Sequence, residues 1–327
     1  MKLKPNKIAL TGFFTVCNRY QLPGAIALGE SVLRFHPGAR YVIGLADDSA
    51  GSAVPAGMEL IPIAALQIPR LQEMSGRYLD YEFVHAVRPW FAKHLLEQSE
   101  NRFAWVFLAP TVLVFSPLDF LGKYDSDFLL TPNLTGPLPA SRNLDDKRIL
   151  NIGMFNADAW MARATPEVKS LFDWWRTRTI DRAFFDLCNG MCLDQLWLNY
   201  VPVLLREWTI LRDTNWHVGL HNLLRVALEN SSGETPSADG KPLLTFNFAG
   251  LTGFHPVWSD HTQVLSGNPA GERLLRNYKK QLAVYEKTGP DKAHYGRPSS
   301  VPAFRDFRRA IKSELNHVVS LIDKIEI

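Results

Sequence analysis

Short apolar runs alternate with helical spacings along the first half of the chain. Residues 8–16 form a continuous apolar run, the pattern of a parallel strand covered on both faces. Across 23–35 the apolar residues Ala25, Ile26, Leu28, Val32, Leu33 and Phe35 recur at helical spacing, and His36-Pro37-Gly38 ends the segment. Residues 41–46 predict a second strand closing in Asp47-Asp48-Ser49, and 58–63 a third. A helix over 83–96 carries Val84, Val87, Phe91 and Leu95 on one side. The most apolar run, 104–115, is expected to be the central strand. This β-α-β-α order predicts an open, mostly parallel sheet with helices on both faces.

The second half is less regular. Strands are expected at 128–131, 149–156 and 243–248, with polar loops over 133–147 and 229–241. Helices are expected at 166–178, which carries Trp174-Trp175, and at 194–205, whose apolar face is Trp197, Tyr200, Val201 and Leu204. From 288 the chain is rich in Pro, Gly and Ser, which sets the division at 1–287 and 288–327. Phe304, Phe307, Ile311, Leu315, Val318, Ile322 and Ile325 then predict an amphipathic helix with Arg305, Arg308, Arg309 and Lys312 on its polar side. Three uses of that stripe stay open: packing on its own domain, self-association, or peripheral contact with an anionic membrane.

Composition narrows the function classes. With 327 residues, 46% hydrophobic and 21% charged, the chain suits one sizeable α/β domain plus an appendage. A net charge of +3 is too mild to point to nucleic acid. The basic start leads into an apolar run that holds Thr11 and Gly12 and ends in Cys17-Asn18-Arg19, so a buried strand is expected there and not a leader. No stretch reaches the roughly 20 apolar residues of a membrane span. Cys17, Cys188 and Cys192 suggest no disulfide framework, and Cys188 and Cys192 lack a Cys/His pair to complete a metal site. The expected location is cytoplasmic, with the inner face of the membrane open to it.

Ligands of open α/β sheets lie beyond the carboxyl ends of the strands. That rule singles out Cys17-Asn18-Arg19-Tyr20, Asp47-Asp48 and the tip of 104–108. Neither GxGxxG after the first strand nor GxxxxGK[ST] anywhere is present, so a nucleotide would be held by other means.

Six segments, in order, resemble a bacterial glycosyltransferase group related to glycosyltransferase family 8. Phe14-Thr15-Val16-Cys17-Asn18-Arg19-Tyr20, with 25–31 and Pro37, resembles its donor-binding opening. Ala86-Val87-Arg88-Pro89-Trp90 and Val114-Phe115-Ser116-Pro117-Leu118 resemble the segments before and after its metal strand. Asn151-Ile152-Gly153-Met154-Phe155-Asn156, Cys192-Leu193-Asp194-Gln195 and Phe246-Asn247-Phe248-Ala249-Gly250 resemble a later strand, its "DQ" turn and its "HFSG" segment. The resemblance spans 8–260. It implies a GT-A-type nucleotide-diphospho-sugar transferase fold, a mostly parallel open sheet with helices on both faces, here followed by the C-terminal amphipathic helix.

The family pattern on the central strand is Leu-Asp-Pro-Asp, which holds Mn²⁺ or Mg²⁺ against the donor diphosphate. This chain has Leu108-Ala109-Pro110-Thr111, and the third ligand position, a His in the family, is Asn247. Three changes around one ion imply that the ion is gone, so no metal cofactor is expected. The literal Asp125-Ser126-Asp127 precedes an apolar run and is expected to be a solvated turn at the opposite sheet edge.

The resemblance places Thr15, Cys17, Asn18, Tyr20, Asp47, Arg88, Lys93, Ala109, Thr111, Asn151, Asn247 and Gly250 at the donor, and Asp194 and Gln195 at the transferred sugar. Taken as residues alone, Tyr20 either stacks on a base or packs on the first helix, and Asp47 either reads base or ribose or caps a turn. Arg88 and Lys93 either replace the metal at the diphosphate or face solvent, with Arg163 and Lys241 as lesser candidates. Asp194 either caps a helix or borders the sugar. Asn156 is expected to flank the same cleft. His217, His255 and His261 are candidate acceptor-side bases, and Trp216 and Trp258 candidate sugar platforms.

The expected activity is metal-independent transfer of a sugar from a nucleotide-diphosphate donor to a carbohydrate or glycolipid acceptor, of the surface-polysaccharide or lipopolysaccharide type. Family 8 resemblance implies retention at the anomeric centre. The rivals are a catalytically inactive glycosyltransferase-like binding protein and a nucleotide-diphosphate hydrolase.

Overall fold

The computed structural model describes residues 12–48, 52–139, 146–230, 235–253, 255–259, 261–285 and 292–299, together with Ile311, Glu314, Leu315, Val318 and Leu321. Two compact units are formed, Met1–Arg297 and Pro298–Ile327. The expected C-terminal helix lies mostly outside the described residues. Its five described positions are helical, and Ile311, Leu315, Val318 and Leu321 are exposed. No helix among the described residues is long and apolar enough to cross a membrane.

The first elements follow the expected periodicities: β1 (Gly12–Cys17), α1 (Leu22–Phe35), β2 (Arg40–Leu45), β3 (Met58–Pro62), a short α2 (Leu71–Arg77) and α3 (Asp80–Glu97). The expected central strand is corrected. It splits at Pro110 into β4 (Ala104–Leu108) and β5 (Val112–Val114), which join different sheets. Proline has no N–H to continue the ladder. The last β4 bond is Ala109 N–H to the Asp158 carbonyl at 2.8 Å, after which the chain turns.

Next come β6 (Phe128–Pro132), α4 (Asp146–Ile152), β7 (Phe155–Arg163) and α5 (Pro166–Arg178). The strand expected at 149–156 is therefore helix up to Ile152, where Ile149 and Ile152 bury one face at i, i+3 spacing. The strand proper begins at Phe155. After it, β8 and β9 (Phe185–Asp186 and Met191–Cys192) pair as a hairpin. The helix expected at 194–205 is a 3₁₀ segment (Gln195–Tyr200) followed by the single turn α6 (Val201–Leu204). Pro202 cannot donate back into the preceding turn, and its ring disfavours a continuous α-helix. Val201 is buried while Tyr200 and Leu204 are exposed, so the expected apolar face does not form.

β10 (Trp208–Ile210) and β11 (His217–Val218) lead to a small meander, β12 (Leu228–Glu229), β13 (Ser237–Ala238) and β14 (Lys241–Pro242), where only a loop was expected. β15 (Thr245–Asn247) and α7 (Pro269–Tyr285) complete the first unit.

The main sheet has seven strands in the order β10-β6-β7-β4-β1-β2-β3. β4, β1, β2 and β3 are parallel, as are β10 and β6, and β7 runs antiparallel to both of its neighbours. Its core is aromatic, with Trp160 stacked on Phe107 and Phe128. A second core lies under the β11-β15-β5 sheet, where Phe248 stacks on Tyr278 at 4.0 Å. Glycine at position 24 lets α1 press on the β4–β5 loop: a Cβ there would lie 2.4 Å from the Pro110 carbonyl oxygen. The amino end of α1 is thereby held against the mouth where β4 ends.

Candidate active site

A pocket opens at the carboxyl end of β4, bounded by Gln21, Ala109, Thr111, His255 and Trp258. Its floor is the Arg88 guanidinium, buried at 3% exposure. Arg88 Nη1 donates to the Ala157 carbonyl at 3.2 Å and to Asp194 Oδ2 at 3.3 Å, and Nη2 lies 3.6 Å from Asp158 Oδ1. Its face covers Phe107 at 4.9 Å. His85, one helical turn earlier on α3, bridges the same groups: its Nδ1 is 2.9 Å from Asp194 Oδ1 and its Nε2 accepts from Arg88 Nη2 at 3.3 Å. Burial, with Arg88 beside it, holds the His85 imidazole below its ordinary range, so it is neutral at pH 7. Burial raises the Asp158 carboxyl, yet Arg88 and three nearby histidines together outweigh it and hold the group below the usual carboxylate value.

Asp194 is wholly buried. Leu193 before it stands at φ 54°. A branched side chain in the left-handed region costs on the order of 1–3 kcal/mol and persists where the surroundings enforce it. The Gln195 amide then pins the turn to β7, donating to the Ile152 carbonyl at 2.8 Å and accepting from Ala157 N–H at 3.0 Å.

The three positions expected to have lost a metal converge. Thr111 Oγ1 donates to Asn247 Oδ1 at 2.8 Å, and Asn247 Nδ2 donates to Asp158 Oδ2 at 2.9 Å. Asn247 Oδ1 also accepts from Ala249 N–H. Ala109 offers no donor atom, the two polar side chains are bonded to each other, and the one carboxylate there faces Arg88. Such a donor set does not fit Mn²⁺ or Mg²⁺, which require several free oxygens. Among the described residues no group of three or more His, Cys, Asp or Glu side chains converges to hold a metal ion.

No family model matches the chain, and no curated protein matches it in sequence. Among solved structures it is similar to the galactosyltransferase LgtC, solved with donor and acceptor sugar analogs, at 12% identity and TM-score 0.46 over 91% of this chain and 99% of that one. It is similar to the bifunctional enzyme WbbM at 13% and 0.45, over 85% of this chain and 53% of that one. It is also similar to the glycosyltransferase GlyE of Streptococcus pneumoniae at 11% and 0.39, over 62% and 45%. By its strand order and its reversed β7, this chain has the open, mostly parallel α/β sheet with helices expected from the sequence.

Several expected site residues stand elsewhere or differently. Lys93 is corrected: it binds Asp173 on α5 and Glu97 on its own helix, away from the pocket. Five residues turn a helix about 140° beyond Arg88, onto the face that meets α5. Arg163 lies roughly 17 Å along β7 from Asp158 by strand rise, binding the Ser126 and Tyr124 carbonyls. Lys241 is exposed on β14, Asn151 is exposed on α4, and His261 is not in the pocket lining. Trp216 is core, its Nε1 donating to Thr131, so it is no sugar platform. Gly250 packs beneath Trp258 and Leu220 at φ 75°. Asn156 is buried, its Oδ1 accepting from Asp158 N–H.

At the end of β1, Thr15 and Cys17 are buried in the sheet, and burial with the Asp47 carboxylate pushes the Cys17 thiol up. Asn18 caps the following 3₁₀ turn through Gln21 N–H, and Tyr20 is 41% exposed. Asp125 and Asp127 pair with Arg102 at the amino end of β6; Asp125 is exposed, whereas Asp127 is buried and accepts from Thr165 Oγ1, so the expected solvated turn is not formed. Asp158 and His85 are not among the residues that the sequence singles out. The available signals were a lone carboxylate inside an otherwise apolar strand and a histidine three residues before Arg88.

His255 is corrected from base to donor. Its Nδ1 accepts from the Val257 and Trp258 amides at 3.2 and 3.3 Å, which leaves the proton on Nε2. Burial lowers its pKa to about 4, so it stays neutral at pH 7. His217 is likewise no base. It stacks on His221 at 5.3 Å, and its Nδ1 donates to Thr245 Oγ1.

Burial lowers His217 to about 3 and His221 to about 4. In the unfolded chain both return to about 6.5, so that state takes up protons first. Their stabilising effect is full above pH 6.5 and is lost as pH falls toward the folded values. The slope is about 1.4 kcal/mol per pH unit for each imidazole. Urea midpoints at pH 7, 6 and 5 are expected to fall steadily. A midpoint unchanged between pH 7 and pH 5 contradicts this assignment.

Proposed function

We propose that this chain transfers a sugar from a nucleotide-diphosphate donor to a carbohydrate or glycolipid acceptor, as in surface-polysaccharide or lipopolysaccharide synthesis, with Arg88 as the resident cation of the site. The observation that carries the reading is the buried Arg88 guanidinium stretched between Asp158 and Asp194 at the carboxyl end of β4.

Arg88 contributes +1 and the two aspartates −2, which leaves the cluster at −1 with His85 and His255 neutral. That balance suits hydroxyl groups, which donate to carboxylates, better than it suits a bare phosphate. Asp158 and Asp194 therefore bind the transferred sugar and favour the positive charge that develops at its anomeric centre. Arg88 holds both in place, a change from its expected role as principal phosphate clamp. Trp258 supplies an apolar wall for the ring. The departing diphosphate is met by the His255 Nε2–H and by the amino end of α1 at Gln21, preorganised donors that lose no solvent shell during reaction.

The test is a panel of UDP-, GDP- and ADP-sugars in EDTA, with release of nucleoside diphosphate followed on addition of mono- and oligosaccharide acceptors. Acceptor-stimulated release from one donor is expected. Absence of release from every donor, with or without Mn²⁺, contradicts an enzyme and favours a binding protein.

A further inference from the structure

Resting on that reading, we propose that residues 292–297 form an autoinhibitory strap that closes the nucleoside end of the site and competes with the donor. Asp47 follows β2, beside β1, at the sheet edge where open α/β sheets take ligands. It is nonetheless 0% exposed. His294 N–H and Asp48 N–H both donate to its Oδ1 at 2.9 Å, and Arg19 N–H donates to Oδ2 at 3.3 Å. Asn18, 1% exposed, holds its side-chain amide beside the Tyr20 hydroxyl. A buried carboxylate that accepts from this segment, with a side-chain amide nearby, is complementary to the edge of a base or to a ribose.

The strap is held in a way that permits release. Arg297 pairs with the chain before α3, accepting from Asp80 N–H and donating to the Tyr78 carbonyl, both at 2.8 Å. Gly296 N–H donates to Ser75 Oγ at 3.0 Å. One apolar contact reinforces these bonds, Tyr295 stacked on Phe83 at 5.5 Å and 16°. His294 and Arg297 are exposed. A short segment held by a few backbone bonds and one ring contact opens at low cost compared with the core. Tyr20 stands at the same place, its hydroxyl beside Asp80. Lifting the strap frees an acceptor position on Asp47 next to an aromatic ring and the Asn18 amide.

Gly296 offers the test. It stands at φ 85°, and a Cβ there would lie 2.5 Å from the Asp80 Cα. Gly296→Val therefore cannot keep the strap seated, and Tyr295→Ser removes only the stacking. In full-length protein with EDTA, calorimetry with UDP, GDP and ADP is expected to show both variants binding the wild type's preferred nucleotide about tenfold tighter. That is the gain when a competent state rises from about a tenth of the population to nearly all of it. Hydrogen exchange on the wild type is expected to show the His294, Gly296 and Asp80 amides losing protection when that nucleotide is added. Equal or weaker binding by the variants, or increased protection, overturns the strap and leaves the proposed function standing. Absence of nucleotide binding by the wild type and both variants overturns both. If Gly296→Val does not fold, Tyr295→Ser and the exchange measurement decide.

Discussion

Arg88→Ala is expected to cost about 3–5 kcal/mol of stability, read as a lowered urea midpoint at unchanged slope. The guanidinium is buried and faces two carboxylates, so its removal leaves Asp158 and Asp194 without a cation in a low-dielectric site. The loss extends to the Phe107 face it covers and to the His85 ring that accepts from it. Arg88→Lys is expected to recover little, because one ammonium cannot reach the Ala157 carbonyl, Asp194 and His85 together. A shift below about 1 kcal/mol for the alanine variant contradicts the role given to this side chain.

Asp194→Asn is expected to lower kcat by about 10²–10³ while changing KM far less, the size of effect seen when one preorganised electrostatic partner is lost. The substitution preserves shape and leaves an oxygen to accept from His85, so the turn imposed by Leu193 at φ 54° is retained. The charge facing the sugar is removed, and with it the bond that Oδ2 accepts from Arg88. Kinetics with the preferred donor under saturating acceptor measure it. A variant keeping more than a tenth of wild-type kcat contradicts the assignment, as does a loss confined to KM.

Much of the fold is written in local periodicity. β1, α1, β2, α3 and α5 are long enough for their apolar spacing to identify them, and α5 matches residue for residue. Errors fall where proline or distant pairing decides. Pro110 breaks a run whose composition is uniformly strand-like, and Pro202 breaks a helix. The meander around β13 exists only through pairing between segments that are polar on their own.

The site divides in the same way. Ala109, Thr111 and Asn247 were suspected as a set, and the hydrogen bond between Thr111 and Asn247 brings two of them together. Asp158 was invisible because its meaning depends on β7 running antiparallel beside β4, which puts it next to Ala109. Lys93 misled because a helix position relative to Arg88 says which face it occupies, but not which neighbour that face meets. His255 was read as a base because the amides that fix its tautomer are a tertiary detail.

The central claim is that donor binding needs no divalent ion. Calorimetry of the preferred nucleotide-sugar, first in EDTA and then with millimolar Mn²⁺ or Mg²⁺, measures it directly. The expected result is the same affinity, within about twofold, in all three conditions. Binding that appears only with Mn²⁺ or Mg²⁺ contradicts the assignment of Arg88 as the resident cation.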